Sequence, residues 1–98
     1  MRLALAPRAK SDLKEIWNYI FQESQDEAIA SRLIEKLLRT IGRLKKSPRI
    51  GRSRADDLGP DLRTFPSGGY VILYRIDASV VRVIRVLHGS RDIPAIFG

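Results

Sequence analysis

Hydrophobic positions change their period along the chain, and the changes divide it into elements. Arg2 to Ala6 is short and mostly apolar, and Pro7 stops it, so it reads as a first strand. Pro7 then suits the first turn of a helix, where its missing N–H costs nothing. From there Ala9, Leu13, Ile16, Trp17, Ile20 and Phe21 form a one-sided stripe at helical spacing. Lys10, Lys14, Glu15, Asn18 and Gln22 fill the opposite face. Ser24-Gln25-Asp26-Glu27 reads as a capping box with Ser24 as the cap. It opens a second helix whose stripe is Ala30, Leu33, Ile34, Leu37, Leu38, Ile41 and Leu44. Gly42 weakens that helix by about 1 kcal/mol against alanine, and Pro48 ends it. So short a link between two helices predicts a hairpin, stripe against stripe.

Beyond Pro48 the helical period is lost. Ser47 to Asp61 holds Pro48, Gly51, Gly59, Pro60 and mixed charges, a loop long enough to suggest function or mobility. Leu62 to Phe65 is a short run stopped by Pro66 and the Gly68-Gly69 turn. Tyr70 to Ile76 is apolar on both faces, as a central strand should be. Asp77-Ala78-Ser79 is a turn, and Val80 to Leu87 is a further β-branched run. The order β-α-α-β-β-β predicts an α+β fold, an antiparallel sheet packed against an N-terminal helix hairpin. With 98 residues and no internal repeat, one domain over residues 1–98 is expected.

Charge adds a second pattern. Eighteen basic residues face eleven acidic ones, a net charge of +7. Between Arg32 and Arg54 the basic residues outnumber Glu35, the one acid there, and such a run attracts polyanions or acidic proteins. No aromatic residue interrupts it, so single-stranded nucleic acid would find nothing to stack on. The chain has no cysteine and one histidine, which excludes disulfides and a zinc site from the usual ligands. Neither a Walker A motif nor GxGxxG is present, and no cofactor is expected. With no signal-like apolar run and no membrane-length span, a cytoplasmic protein is expected.

The densest chemistry is VIRVLHGSRD, residues 83–92. His88, Ser90 and Asp92 lie at i, i+2 and i+4 of one segment, an arrangement that rarely converges into a triad. RNA cleavage is the stronger catalytic reading. It needs a base, an acid and cations for the developing phosphate charge. Arg63, Arg75, Arg82, Arg85 and Arg91 supply cations, and His88, with an ordinary pKa of about 6.5, could serve as base. A strand-end histidine that hydrogen-bonds backbone is the plainer alternative.

Several segments together resemble the ParE branch of the RelE/ParE toxin superfamily. They are Pro7-Arg8-Ala9 with Asp12-Leu13, Ile16-Trp17 and Tyr19-Ile20, then Ser47-Pro48-Arg49 with Gly51, and Gly59 to Arg63. Tyr70 to Arg75 and Val86 to Asp92 complete the set, in the order and over the length of that family. The resemblance implies the toxin of a type II toxin–antitoxin pair. Its target would be DNA gyrase, its partner a ParD-like antitoxin, and direct nucleic-acid binding is not expected. RelE-type relatives instead cleave messenger RNA on the ribosome. They place an arginine after the glycine-tyrosine that opens the third strand, where this chain has Val71. They carry lysines on the second strand, where Leu62 and Thr64 flank Arg63, and a C-terminal tyrosine near the position of Phe97. Arg91 alone matches a nuclease cation after the last strand. The resemblance therefore implies a poison that binds without catalysis, with Arg63, His88, Arg91 and Phe97 facing the target. Trp17, Ile20, Phe21, Arg49, Arg52 and Arg54 are the expected antitoxin contacts, and no catalytic or metal-binding residue is expected.

Overall fold

The computed structural model describes residues 1–91 and Ile93. Strand β1 (Arg2–Leu5) leads into helices α1 (Pro7–Ser24) and α2 (Glu27–Lys46). A 3-10 turn (Pro48–Ile50) and strands β2 (Arg52–Ser53), β3 (Leu62–Ser67), β4 (Tyr70–Asp77) and β5 (Val80–His88) follow. The sheet order is β1-β5-β4-β3-β2. Strands β2 to β5 pair antiparallel, and β1 adds a parallel pairing on the open side of β5. The α+β class and element order are as the sequence predicts, and β1 makes the sheet mixed. A parallel neighbour needs a crossover, and everything from α1 to β4 supplies it.

Three local expectations are corrected. Asp26, not Ser24, caps α2, accepting from the amides of Ala28 and Ile29. Ser24 lies within α1, where its hydroxyl donates to the Ile20 carbonyl and accepts from the Asp26 amide, one residue short of the first turn of α2. Strand β3 does not stop at Pro66 but runs to Ser67. Only Arg63 and Thr64 pair with β2, so Pro66 lies on an open edge, where a missing N–H is tolerated. The long loop also carries structure of its own, in the 3-10 turn and β2.

Tyr74 ties that loop to the sheet. Its fully buried hydroxyl donates to the Pro48 carbonyl at 2.7 Å and accepts from the Gly51 amide at 2.9 Å. A Cβ at Gly51 would run into that hydroxyl, which explains the glycine. Gly68 and Gly69, both at positive φ, make the tight β3–β4 turn.

The core has two parts. Beneath the helices, Leu37, Ile41 and Leu44 of α2 meet Ile72, Tyr74, Val81, Val83 and Val86. On the outer face Leu62, Leu73, Leu87 and Ile93 form a smaller cluster. In β5 the register slips by one opposite Leu73 and Tyr74, leaving Ile84 without a partner. Such a bulge re-aims the side chains beside it. Val81 and Val83 face the helices before it, and Val86 after it.

Candidate functional site

A groove of about 700 Å³ lies between α1 and the end of β5. Tyr19, Ile20, Leu33 and Tyr70 give it apolar walls, and Glu15, His88 and Arg91 stand on its polar side. Tyr19 is 58% exposed. At its base the bulge brings Arg85 to α1, where it donates to both oxygens of Asp12, at 2.8 and 3.0 Å. The Val86 amide donates to the same carboxylate at 2.9 Å, so α1 is bolted to the sheet at three points. With side-chain exposures of 12% and 5%, this pair is shielded from water. The hydrogen bond that Arg85 donates to Asp12 raises the Arg85 pKa above its ordinary value, outweighing the opposing effect of burial. Arg85 is therefore not among the free cations that RNA cleavage would need. A carboxylate at Asp12, inside the apolar stripe between Ala9 and Ile16, was the sequence signal for this buried pair.

His88 is exposed at the groove rim. Its Nδ1 lies 2.7 Å from the Ser90 hydroxyl, and its ring meets Tyr70 edge-on at 5.4 Å between centroids. His88 and Ser90 come together because the chain turns directly after β5. Asp92 and Phe97 lie outside the described residues.

A second cleft, of about 440 Å³, opens on the outer face of the sheet. Arg52, Arg54 and Arg91 surround it, and Thr64, Pro66, Val71 and Ile93 line it. Val71 belongs to the outer apolar cluster. Arg54 is bound to Asp57 through its Nε at 3.0 Å, and that bond raises the Arg54 pKa and lowers that of Asp57. Arg63, an expected target contact, is half-buried. Its guanidinium donates to the carbonyls of Arg49 and Gly51, at 3.2 and 2.7 Å. These bonds make it a brace for the loop. Among the remaining expected contacts, Arg49 and Arg52 are exposed. Trp17 is half-buried, stacks on Phe21 within α1 and donates to the Ser31 hydroxyl at 3.2 Å, so Trp17 fastens α1 to α2. Ile20 alone of the three apolar candidates lines the groove. Tyr19, Leu33 and Tyr70 were missed because their convergence depends on how the helix hairpin sits over β4. Among the described residues no cluster of potential metal ligands occurs, and no helix is long and apolar enough to cross a membrane.

Two helices over a sheet of this order also occur in solved structures from toxin–antitoxin systems. The chain superposes on a protein of the chromosomal ParDE system of P. aeruginosa with a TM-score of 0.77 and 17% identity, covering 90% of this chain and 95% of that one. It also superposes on a chain from the RelBE2 toxin–antitoxin complex of Mycobacterium tuberculosis, with a TM-score of 0.61 and 24% identity over 89% and 95%. These likenesses establish the fold. Sequence narrows it further. The family model described as the ParE toxin of the type II toxin–antitoxin system parDE matches residues 3–93. Toxin ParE1 of Caulobacter vibrioides is 36% identical over 96% of this chain and 95% of its own length. Toxin ParE3 of the same organism is 34% identical over 78% and 75%. The chain belongs to the ParE toxin family.

Proposed function

We propose that this ParE-family toxin inhibits DNA gyrase by binding it, cuts no bond itself, and is neutralised in the cytoplasm by a ParD-like antitoxin. The observation that carries the non-catalytic reading is the composition of the outer cleft. Arg52, Arg54 and Arg91 surround Thr64 and Val71, and neither a histidine nor a carboxylate lines it among the described residues. Phosphodiester cleavage needs both an acid and a base. His88 lines the groove rather than the cleft. Such a surface holds anionic or acidic groups and leaves them intact. Membership of the ParE toxin family supports the gyrase target.

His88, Arg91 and Phe97 are the proposed target contacts, and Arg63 supports them by holding the loop. In the antitoxin contact, a disordered apolar and acidic segment folds into the groove against Ile20, Tyr19 and Tyr70. Arg49, Arg52 and Arg54 meet its acidic part, while Trp17 and Phe21 keep the groove wall in place. Coupled folding of this kind sacrifices part of the contact energy to ordering but covers a large surface.

Purified toxin should abolish gyrase supercoiling, and the co-expressed antitoxin should restore it. Gyrase indifferent to excess toxin would overturn the target. Cutting of messenger RNA in translating ribosomes by the purified protein, lost in Arg91→Ala, would establish the RelE-type ribonuclease instead.

A further inference from the structure

The outward face of α2 carries a row of charge that neither the groove nor the outer cleft uses. Arg32, Lys36, Arg39, Arg43 and Lys46 follow one another at intervals of four and three residues. At about 100° per residue they fall within an arc of roughly 80°, and at 1.5 Å per residue they extend over about 21 Å of helix. All five are exposed, and none forms an ion pair among the described residues. Arg43 packs over the Phe65 ring at 5.6 Å, which anchors the row beside β3.

Each neighbouring pair in this row places like charges three or four residues apart, which costs helix stability, offset in part by Glu35 between Arg32 and Arg39 and by the helix C-terminus beside Arg43 and Lys46. Gly42 lies in the same stretch, and a glycine inside a helix weakens it further. No packing requires that glycine, because a Cβ there would meet nothing within 4 Å. It instead leaves bare a shallow depression of about 600 Å³, flanked by Lys36, Arg39, Arg43 and Lys46. A row of cations along a bare flank fits an anion whose charges also repeat along a line.

We infer that this face of α2 binds the phosphate backbone of double-stranded DNA without reading its sequence. An acidic protein fits less well, because protein interfaces depend on buried aromatic and apolar anchors. The one exposed apolar residue between Arg32 and Lys46 is Leu38, which lies roughly 120° from the centre of the row. A single strand would need aromatic platforms for its bases, and α2 has none. The face revises the sequence expectation that direct nucleic-acid binding plays no part. It does not depend on the gyrase reading, though in that reading the toxin would sit beside the DNA that its target holds.

The test is a salt titration of toxin, freed from antitoxin, on a labelled random-sequence duplex. Five phosphate contacts give a log–log salt slope of about −4.5, an affinity loss of about 500-fold between roughly 50 and 200 mM salt. The variant Lys36→Gln/Arg39→Gln/Arg43→Gln should reduce the slope to about −1.8. The control Arg8→Gln/Lys10→Gln/Lys14→Gln removes the same charge from α1 and should keep the full slope, with circular dichroism confirming that both variants fold. Equal losses in the two variants would overturn the inference, since net charge alone would then explain binding. So would a wild-type slope near zero, or tighter binding to polyglutamate or to single strands than to the duplex. Duplex binding with the expected slope alongside unaffected gyrase would sink only the gyrase proposal, and gyrase inhibition by a toxin without duplex affinity would sink only this one.

Discussion

Around the groove, Arg85 is locked into a two-point bond with Asp12, whereas at the outer cleft Arg52 and Arg91 stand exposed with no carboxylate partner among the described residues. The same residue type does opposite work in the two places. Inside, the guanidinium is partly dehydrated and its pairing sets the distance between α1 and β5. Outside, water screens each charge and the side chains remain free to meet another molecule. The groove is therefore preformed, its base fixed by that pair, while the cleft is an adaptable patch of charge. Its setting comes from Tyr74 and Arg63, which hold the loop that carries Arg52.

The contrast breaks most sharply at Asp12. Asp12→Ala leaves the Arg85 guanidinium and the Val86 amide without their acceptor, and should cost about 3–5 kcal/mol in urea unfolding. Asp12→Leu/Arg85→Met should recover much of that loss, because the damage comes from the orphaned charge. A loss below about 1 kcal/mol for Asp12→Ala would show that apolar packing, not this pair, holds α1 in place.

Tyr74→Phe tests how the cleft is held. It leaves the Gly51 amide and the Pro48 carbonyl without their partner and should cost about 1–3 kcal/mol. Amide exchange at Gly51 should accelerate with it while exchange at Val86 stays slow. Unchanged exchange at Gly51 would mean that Arg63 alone positions the loop.

Alkaline pH reaches the same hydroxyl without mutation. Burial raises the pKa of Tyr74 and Tyr70 above the ordinary 10.0, so the fold favours their neutral forms. The folded state then binds more protons than the unfolded state above that value. The stability contributed is fully present below pH 10.0 and is lost as pH rises through the folded values. Urea midpoints should fall on the alkaline side, and less steeply in Tyr74→Phe. An identical decline in that variant would remove Tyr74 as the cause.

The smallest effect on stability belongs to the cleft's own cations. Arg52→Gln/Arg91→Gln should change unfolding by no more than about 0.5 kcal/mol, yet weaken gyrase inhibition. A large loss of stability would show that these arginines are structural and would erase the distinction between the two regions.

Much of this architecture was legible because it is local. Both helices, their hairpin and the three long strands follow from the spacing of apolar residues, which reports the period of the backbone directly. The misreadings were also local, but each involved competition between neighbours. Asp26 displaced Ser24 as cap because α1 runs through Ser24 itself, which the capping-box reading had placed outside it. Pro66 did not end β3 because its strand is an edge there. At the candidate site, His88 and Arg91 were identifiable by residue type and do stand on the groove. The role of Arg63 was not, since its two carbonyl acceptors depend on where the loop crosses β3.

Residue order alone was enough for the element types and the basic run from Arg32 to Arg54, which are local patterns, and for the family, whose motifs recur in fixed order along the chain. Folding in three dimensions settled the parallel place of β1, the slip at Ile84 and the union of Asp12 with Arg85 across 73 positions. Contacts so distant in sequence leave no periodic trace, for they arise only when a twisted sheet and a helix hairpin bury their apolar faces against each other.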